Sequence, residues 1–121
     1  MLVIDAANVI GSRPTGWWRD RPGAARTFTE RVRATLANGA LDAPVTIVLE
    51  GQSRAGVAEG DADGLAVVHA PGEGDDTIVA LAELHDPVVV VTADRGLAVR
   101  VRAAHGTVVG PTWLLDRLVT I

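Results

Sequence analysis

The chain contains no cysteine, no lysine and no tyrosine, and its aromatic residues are three tryptophans and one phenylalanine. Without cysteine it can form neither a disulfide nor a cysteine-ligated zinc site, so any bound metal must use oxygen or imidazole ligands. No apolar run is long enough to span a bilayer, and no basic stretch precedes the first apolar residues as a secretory signal would require. We therefore expect a cytoplasmic protein that does not associate with membranes.

What the chain does contain favours a folded α/β protein. It has 121 residues, of which 48% are hydrophobic and only 21% charged, a balance that argues against disorder. This length suits one compact domain spanning residues 1–121.

Apolar segments with strand character alternate with segments of helical spacing. Strands are predicted at residues 2–5, 45–49, 65–69, 88–91 and 107–109, and helices at 24–36, 75–84, 95–104 and 112–118. We interpret residues 11–23 as a loop and residues 52–64 as a mobile connection, because both are polar or glycine-bearing and lack periodicity. The run at 88–91 is the most apolar and is expected at the centre of the sheet. The alternation predicts a mostly parallel sheet with helices on both faces.

The first third of the chain combines arginine with tryptophan. All 11 basic residues are arginines, and six of them precede residue 34, although the net charge is -4. The arginine usage can reflect genome composition, but guanidinium groups also grip phosphate and indoles stack on unpaired bases. Alternatively, the tryptophans pack at the core edge or in a homodimer contact. The segment predicted to bind substrate, here called the Arg/Trp segment, comprises Arg13, Trp17, Trp18, Arg19 and Arg21.

Acidic side chains follow the predicted strands. Asp5 ends the first strand directly after Val3 and Ile4, and Asn8 lies three residues further on. An ionisable group at such a strand end is costly to desolvate unless it is paired or bound to a metal, although Asp5 can also cap the following turn. A carboxylate beside an amide suits a hard, oxygen-seeking cation.

Two further acidic positions extend this pattern. Asp75 and Asp76 open a predicted helix, so one is expected to cap it while the other faces the crevice, with Asp76 preferred and Asp75 second. Asp94 follows the strand at 88–91, and Thr92 shares its face of the strand, where it could orient a water molecule at a metal. If these strand ends converge at the carboxyl edge of the sheet, the sequence predicts a divalent-metal site.

The segments Val3-Ile4-Asp5-Ala6-Ala7-Asn8, Glu73-Gly74-Asp75-Asp76 and Val91-Thr92-Ala93-Asp94-Arg95 resemble the NYN domain of the PIN-like nuclease superfamily, particularly its YacP-like branch. The resemblance covers nearly the whole chain in order. It implies a PIN-like three-layer α/β/α fold and an acidic pocket that binds Mg²⁺ or Mn²⁺ to cleave RNA.

Carried over by position, Asp5, Asp76 and Asp94 match the acidic core, with Asn8 as polar companion and Asp75 as a further metal ligand. Glu50 stands where the family pattern usually has an aspartate, and its longer side chain could still reach the metal. Thr92 and Arg95, in the last of the three segments, join the Arg/Trp segment as predicted substrate contacts.

The sequence thus predicts a divalent-metal-dependent ribonuclease whose substrate is single-stranded or structured RNA. Carboxylates around the metal would activate water, so no covalent nucleophile is needed. Two alternatives stay open: a non-catalytic RNA-binding or assembly module of the same fold, and a small metal-dependent phosphohydrolase. A nucleotide-binding domain is disfavoured, because the chain has neither a GxxxxGK[ST] loop nor a GxGxxG motif after a strand.

Overall fold

A computed structural model of the protein describes residues 1–120 as six strands and five α-helices with two 3₁₀ helices. The strands are β1 (Leu2–Asp5), β2 (Val45–Leu49), β3 (Gly60–Ala62), β4 (Leu65–His69), β5 (Val89–Val91) and β6 (Thr107–Val109). The α-helices are α1 (Ala6–Gly11), α2 (Arg21–Ala37), α3 (Gly74–Leu84), α4 (Arg95–Ala103) and α5 (Pro111–Leu115), and the 3₁₀ helices are Trp17–Arg19 and Gly51–Gly56. No helix within residues 1–120 is long and apolar enough to cross a membrane.

The strands form one sheet in the order β3-β4-β2-β1-β5-β6. All neighbouring strands are parallel except β3, which pairs antiparallel with β4. The middle of the sheet is therefore β2 and β1, and the prediction that the run at 88–91 lies at the centre was wrong. β5 is apolar because helices cover both of its faces, a requirement that also holds for a strand one place from the edge.

Alternation along the strands divides the core into two apolar clusters. Leu2 and Ile4 of β1 pack with residues of α2 and α5 on one face, whereas Val3 packs with residues of α3 and α4 on the other. β5 shows the same division, with Val91 on the first face and Val90 on the second. Helices thus cover both faces of a mostly parallel sheet, and the predicted α/β/α fold is confirmed.

Several boundaries differ from the predicted ones. Helix α1 was not predicted, because its 6 residues are too few for helical periodicity to be visible. Helix α2 begins three residues earlier than expected, because Asp20 caps it by accepting from the Gly23 N–H at 3.0 Å and Pro22 occupies its first turn. Helix α5 ends at Leu115, three residues before its predicted end.

Residues 52–64 are ordered rather than a mobile connection, so that expectation was wrong. The 3₁₀ helix at Gly51–Gly56 packs against the start of α2, where a Cβ on Gly56 would meet the Pro22 carbonyl oxygen at 2.0 Å. Glu59 accepts from the His69 N–H at 2.8 Å, and the His69 ring lies 2.7 Å from the Val57 carbonyl oxygen. These contacts join the segment to α2 and β4 despite its polar composition.

Candidate active site

The predicted acidic residues lie at the carboxyl edge of the parallel strands. Asp5 is the last residue of β1, Glu50 directly follows β2 on one side, and Thr92 directly follows β5 on the other. From β1 the chain continues to β2 and β4 on one side of β1 in the sheet, and it then crosses to β5 and β6 on the other side. This reversal of strand order creates the crevice in which open α/β sheets place their ligands.

Asp5 is the buried member of the site. Asp5 is only 5% exposed, and the Thr92 hydroxyl donates a hydrogen bond to the Asp5 Oδ2 at 2.8 Å. Asp5 precedes α1, and its carboxylate makes no capping hydrogen bond of ordinary geometry to that helix, although the Asn8 N–H is near enough to act on its charge. The pKa of Asp5 is raised to about 6, mainly by burial and in smaller part by the charges of Asp75 and Glu50, against the opposing effects of the Thr92 hydroxyl and the Asn8 backbone amide.

Asp75, rather than Asp76, faces the other acids. Asp75 is half-buried, and burial followed by the charges of Asp94 and Glu73 raises its pKa. The Asp76 carboxylate is exposed and accepts from Arg100 at 2.9 Å. Neither residue caps α3, whose N-cap is Glu73 without a side-chain hydrogen bond. The preference for Asp76 over Asp75, and the expectation of an aspartate cap, therefore need correction, because the orientation of the helix rather than its sequence chooses which side chain turns toward the sheet.

The loop after β5 is held by side chains predicted for the site. The Asn8 Oδ1 accepts from the Ala93 N–H at 2.7 Å, and the Thr92 Oγ1 accepts from the Asp94 N–H at 3.1 Å. Asp94 caps α4 through its Oδ1, which accepts from the Leu97 N–H at 2.9 Å. Asn8 and Thr92 thus position the loop that carries Asp94, and the second oxygen of Asp94 makes no hydrogen bond with residues 1–120.

Glu50 joins the acids through its contact with the start of α3. Its Oε2 accepts from the Gly74 N–H at 3.1 Å, and its charge is near enough to act on Asp5. The longer side chain therefore spans from the end of β2 toward the helix that carries Asp75. We call Asp5, Glu50, Asp75 and Asp94 the acidic cluster.

The acidic cluster offers only oxygen donors, which are the donors that Mg²⁺ and Mn²⁺ prefer. Within residues 1–120, no three Asp, Glu or His side chains are arranged so that they could already coordinate one metal ion. Glu50 and Asp94 each have one oxygen engaged by a backbone N–H. The donor chemistry fits a hard divalent cation, and coordination by the cluster requires side chains to reorient.

The Arg/Trp segment lies beside α1 and the start of α2. Trp17 and Trp18 meet edge to face with ring centroids 5.9 Å apart, and Trp18 is 50% exposed. The guanidinium carbon of Arg21 lies 5.5 Å from the Trp17 ring centroid, and that of Arg19 lies 5.7 Å from the Trp18 centroid. Arg13 is exposed and makes a long contact of 3.5 Å with the Thr112 hydroxyl.

Two cavities adjoin this segment, and the smaller one reaches the acidic cluster. One, of about 250 Å³, is lined by Trp17 and Arg21 and also by Glu50. The second, of about 560 Å³, shares Trp17 with the first and adds Arg13 together with Arg26 and Arg31. These last two arginines were not among the predicted site residues, and the arginine clustering in the first third of the sequence was the signal that could have included them.

Arg95, the remaining predicted contact, lies on the opposite side of the acidic cluster. It begins α4, is exposed, and lines a third cavity of about 430 Å³ with Thr92, Asp94 and Arg102. The predicted substrate contacts are therefore divided between the α2 side and the α4 side of the strand ends.

The mostly parallel sheet covered by helices on both faces, with acids at its switch point, is a three-layer α/β/α fold of the PIN-like type. The chain matches the crystal structure of Rae1 (YacP) from Bacillus subtilis, in a tryptophan-to-leucine variant, with a TM-score of 0.69. The match covers 95% of this chain and 71% of that one at 15% sequence identity. No protein-family model matches the sequence, and no curated protein does so. At this identity the likeness establishes the fold, and it confirms the resemblance to the YacP-like branch at that level.

Proposed function

We propose that the protein is a divalent-metal-dependent ribonuclease that hydrolyses RNA phosphodiester bonds at the acidic cluster. The observation that carries this proposal is the burial of Asp5, whose pKa is raised to about 6 at the switch point of the sheet. A carboxylate held there costs stability at neutral pH, and its neighbours increase that cost. Such a cost is typical of groups retained for binding or catalysis.

Asp5, Asp75 and Asp94 are the proposed ligands of Mg²⁺ or Mn²⁺, with Glu50 as a further ligand. When bound, the cation would supply a Lewis acid that lowers the pKa of water and neutralises charge on the phosphodiester. The role of Asp76 is better described as surface pairing with Arg100, because its carboxylate is directed to that guanidinium.

The chain's own polar groups would hold this arrangement. The Thr92 hydroxyl directs the Asp5 carboxylate by donating to it, and the same oxygen accepts from the backbone of Asp94. Asn8 fixes the loop that carries Asp94 through the Ala93 N–H. The proposed role of Asn8 and Thr92 is therefore to fix the distances between carboxylates contributed by β1 and by the loop after β5.

Arginine and tryptophan side chains would bind the substrate. The phosphates of the RNA would bind to the guanidinium groups of Arg13, Arg19 and Arg21. The exposed face of Trp18 can stack on an unpaired base. Arg95 would contact the RNA on the other side of the acidic cluster. RNA bound this way crosses the strand ends from α2 toward α4, with the scissile phosphate at the acidic cluster.

The test is cleavage of end-labelled single-stranded and hairpin RNA by the wild type, Asp5→Asn and Asp94→Asn, with Mn²⁺ or with chelator. We expect cleavage by the wild type in Mn²⁺ alone, and a loss of at least about 10²-fold in both variants. Asp42→Asn, which alters an exposed carboxylate outside the acidic cluster, should cleave as the wild type does. Equal cleavage by all four proteins would identify a contaminating nuclease and contradict the proposal.

A non-catalytic RNA-binding module is the second candidate. It is favoured by the lack, within residues 1–120, of three acidic or histidine side chains already arranged around one point. It predicts RNA binding in chelator that is unchanged in Asp5→Asn, with no cleavage in Mn²⁺. We also propose that residues 1–121 form one domain and that the protein can form a homodimer. Sedimentation at several protein concentrations tests for the homodimer.

A further inference from the structure

The cavity of about 560 Å³ between α1, the Arg/Trp segment and α2 is not part of the acidic cluster. Its volume lies within the range of sites that enclose a small ligand of nucleotide size. Arg13 comes from the loop after α1, while Arg26 and Arg31 both come from α2. Three separate guanidinium groups therefore line one concave surface.

The charge of this cavity is positive and little compensated. Asp20 is its only acidic lining residue, and the Asp20 Oδ1 accepts from the Gly23 N–H as the cap of α2. Within residues 1–120, the only arginine with a carboxylate oxygen within 4.0 Å is Arg100, which lies elsewhere. Arg31 is held by its Nε, which donates to the Val119 carbonyl oxygen at 3.0 Å. Guanidinium groups left without a carboxylate are suited to phosphate, which they can bind bidentately.

Aromatic and apolar side chains complete the lining. Trp17 and Phe28 both contribute to it, and Phe28 is itself anchored in the core at 5% exposure. Trp17 also lines the smaller cavity that reaches Glu50. The indole therefore stands between the arginine-lined cavity and the acidic cluster, in a position to contact a base on its way between them.

We propose that this cavity binds one phosphorylated nucleotide of the RNA, with its phosphate on Arg13 and Arg26 and its base against Trp17. The inference rests on the proposed function in taking RNA as the ligand, but it concerns binding and not cleavage. The same chemistry is offered by a terminal phosphate and by a phosphodiester inside the strand. The site would fix the register of the strand relative to the acidic cluster.

The test is equilibrium binding in chelator, where no metal-dependent cleavage occurs. The probe is a fluorescent single-stranded RNA, prepared with a 5′-phosphate or a 5′-hydroxyl and followed by anisotropy with the full chain. We expect Arg26→Ala to weaken binding by at least about tenfold, and Arg26→Lys to weaken it less, because lysine keeps the charge without the fork. In Arg26→Ala, the slope of the logarithm of the binding constant against the logarithm of salt concentration should become less steep by the amount expected for about one phosphate contact.

Arg33→Ala is the matched control. Arg33 is an exposed arginine of the same helix that lines none of the three cavities, so its loss removes the same charge from outside the cavity. Unchanged binding by Arg26→Ala, or equal weakening by Arg26→Ala and Arg33→Ala, would overturn the proposal. Tighter binding of the 5′-phosphorylated probe, together with competition by adenosine monophosphate, would assign the cavity to a strand end, and equal binding of both probes would assign it to an internal phosphate.

The two proposals fail separately. If Arg26→Ala weakens binding while Asp5→Asn leaves cleavage unchanged, the cavity stands and the nuclease is wrong. If Asp5→Asn abolishes cleavage while Arg26→Ala binds RNA normally, the nuclease stands and the cavity is not a subsite.

Discussion

Replacing Asp5 by asparagine should make the protein more stable at neutral pH. In the folded chain the Asp5 pKa is about 6, against an ordinary value of 3.8, because the carboxyl group is buried beside other acids. The fold therefore prefers the protonated form, and stability is lost as the pH rises through this interval. Asparagine has nearly the same shape, can accept a hydrogen bond from the Thr92 hydroxyl, and carries no charge at any pH.

The size of the effect follows from linkage between proton binding and folding. The shift from 3.8 to about 6 corresponds to about 3 kcal/mol once the carboxylate is fully ionised. The difference in unfolding free energy, Asp5→Asn minus wild type, should grow by about 2 to 3 kcal/mol between about pH 4 and about pH 8. In a chain of this length, such a change corresponds to roughly 10 °C in Tm.

Urea unfolding in chelator at a series of pH values measures this difference directly. Asp42→Asn removes an exposed carboxylate outside the acidic cluster and should follow the wild-type curve within about 0.5 kcal/mol at every pH. Parallel curves for the wild type and Asp5→Asn would refute the reasoning, because they would mean that Asp5 ionises as easily in the folded chain as in the unfolded one. A variant that gains stability while it loses cleavage would show that the site is maintained at the expense of the fold.

Three other predictions test particular contacts. Asp75→Asn should reduce Mn²⁺-dependent RNA cleavage by at least about tenfold, whereas Asp76→Asn should reduce it less than about threefold, because only an exposed ion pair of small value is lost; equal losses measured in one assay would contradict the assignment. Thr92→Val should destabilise the protein by about 1 to 3 kcal/mol at neutral pH, because it removes the hydroxyl that donates to the buried carboxylate of β1, and Thr92→Ser should restore most of this in urea unfolding. Gly56→Ala should lower stability by about 1 to 3 kcal/mol, since its Cβ would overlap backbone atoms, while Gly60→Ala, whose Cβ meets nothing within 4 Å, should change it by less than about 1 kcal/mol in the same measurement.

The sequence predicted the elements that repeat a simple physical pattern. Continuous apolar runs identified β1, β2, β4 and β5, because strands buried on both faces show such runs. Helical spacing identified α2, α3 and α4. The start of α2 is also encoded locally, because Asp20 followed by Pro22 is a helix-start signal that does not depend on apolar periodicity.

Contacts between distant segments could not be read in this way. The order of strands depends on which edges pair, so the apolar character of β5 did not reveal that it lies one place from the edge of the sheet. Residues 52–64 have no pattern of their own and are ordered by Gly56 against Pro22 and by His69 against Glu59. Each of these contacts joins residues from different elements of the fold, so no local pattern announces it.

The sequence alone determined that acids follow the strands, since the position of Asp5 after Val3 and Ile4 and of Asp94 after β5 is a matter of order along the chain. Only the tertiary structure decided which acids act on one another. It turned Asp75 toward the sheet and Asp76 toward Arg100, assigned Asp94 a capping hydrogen bond, and directed the Thr92 hydroxyl to Asp5. The physical reason is that electrostatic coupling depends on distance and burial, and both are fixed when the helices pack on the sheet rather than by the spacing of residues along it.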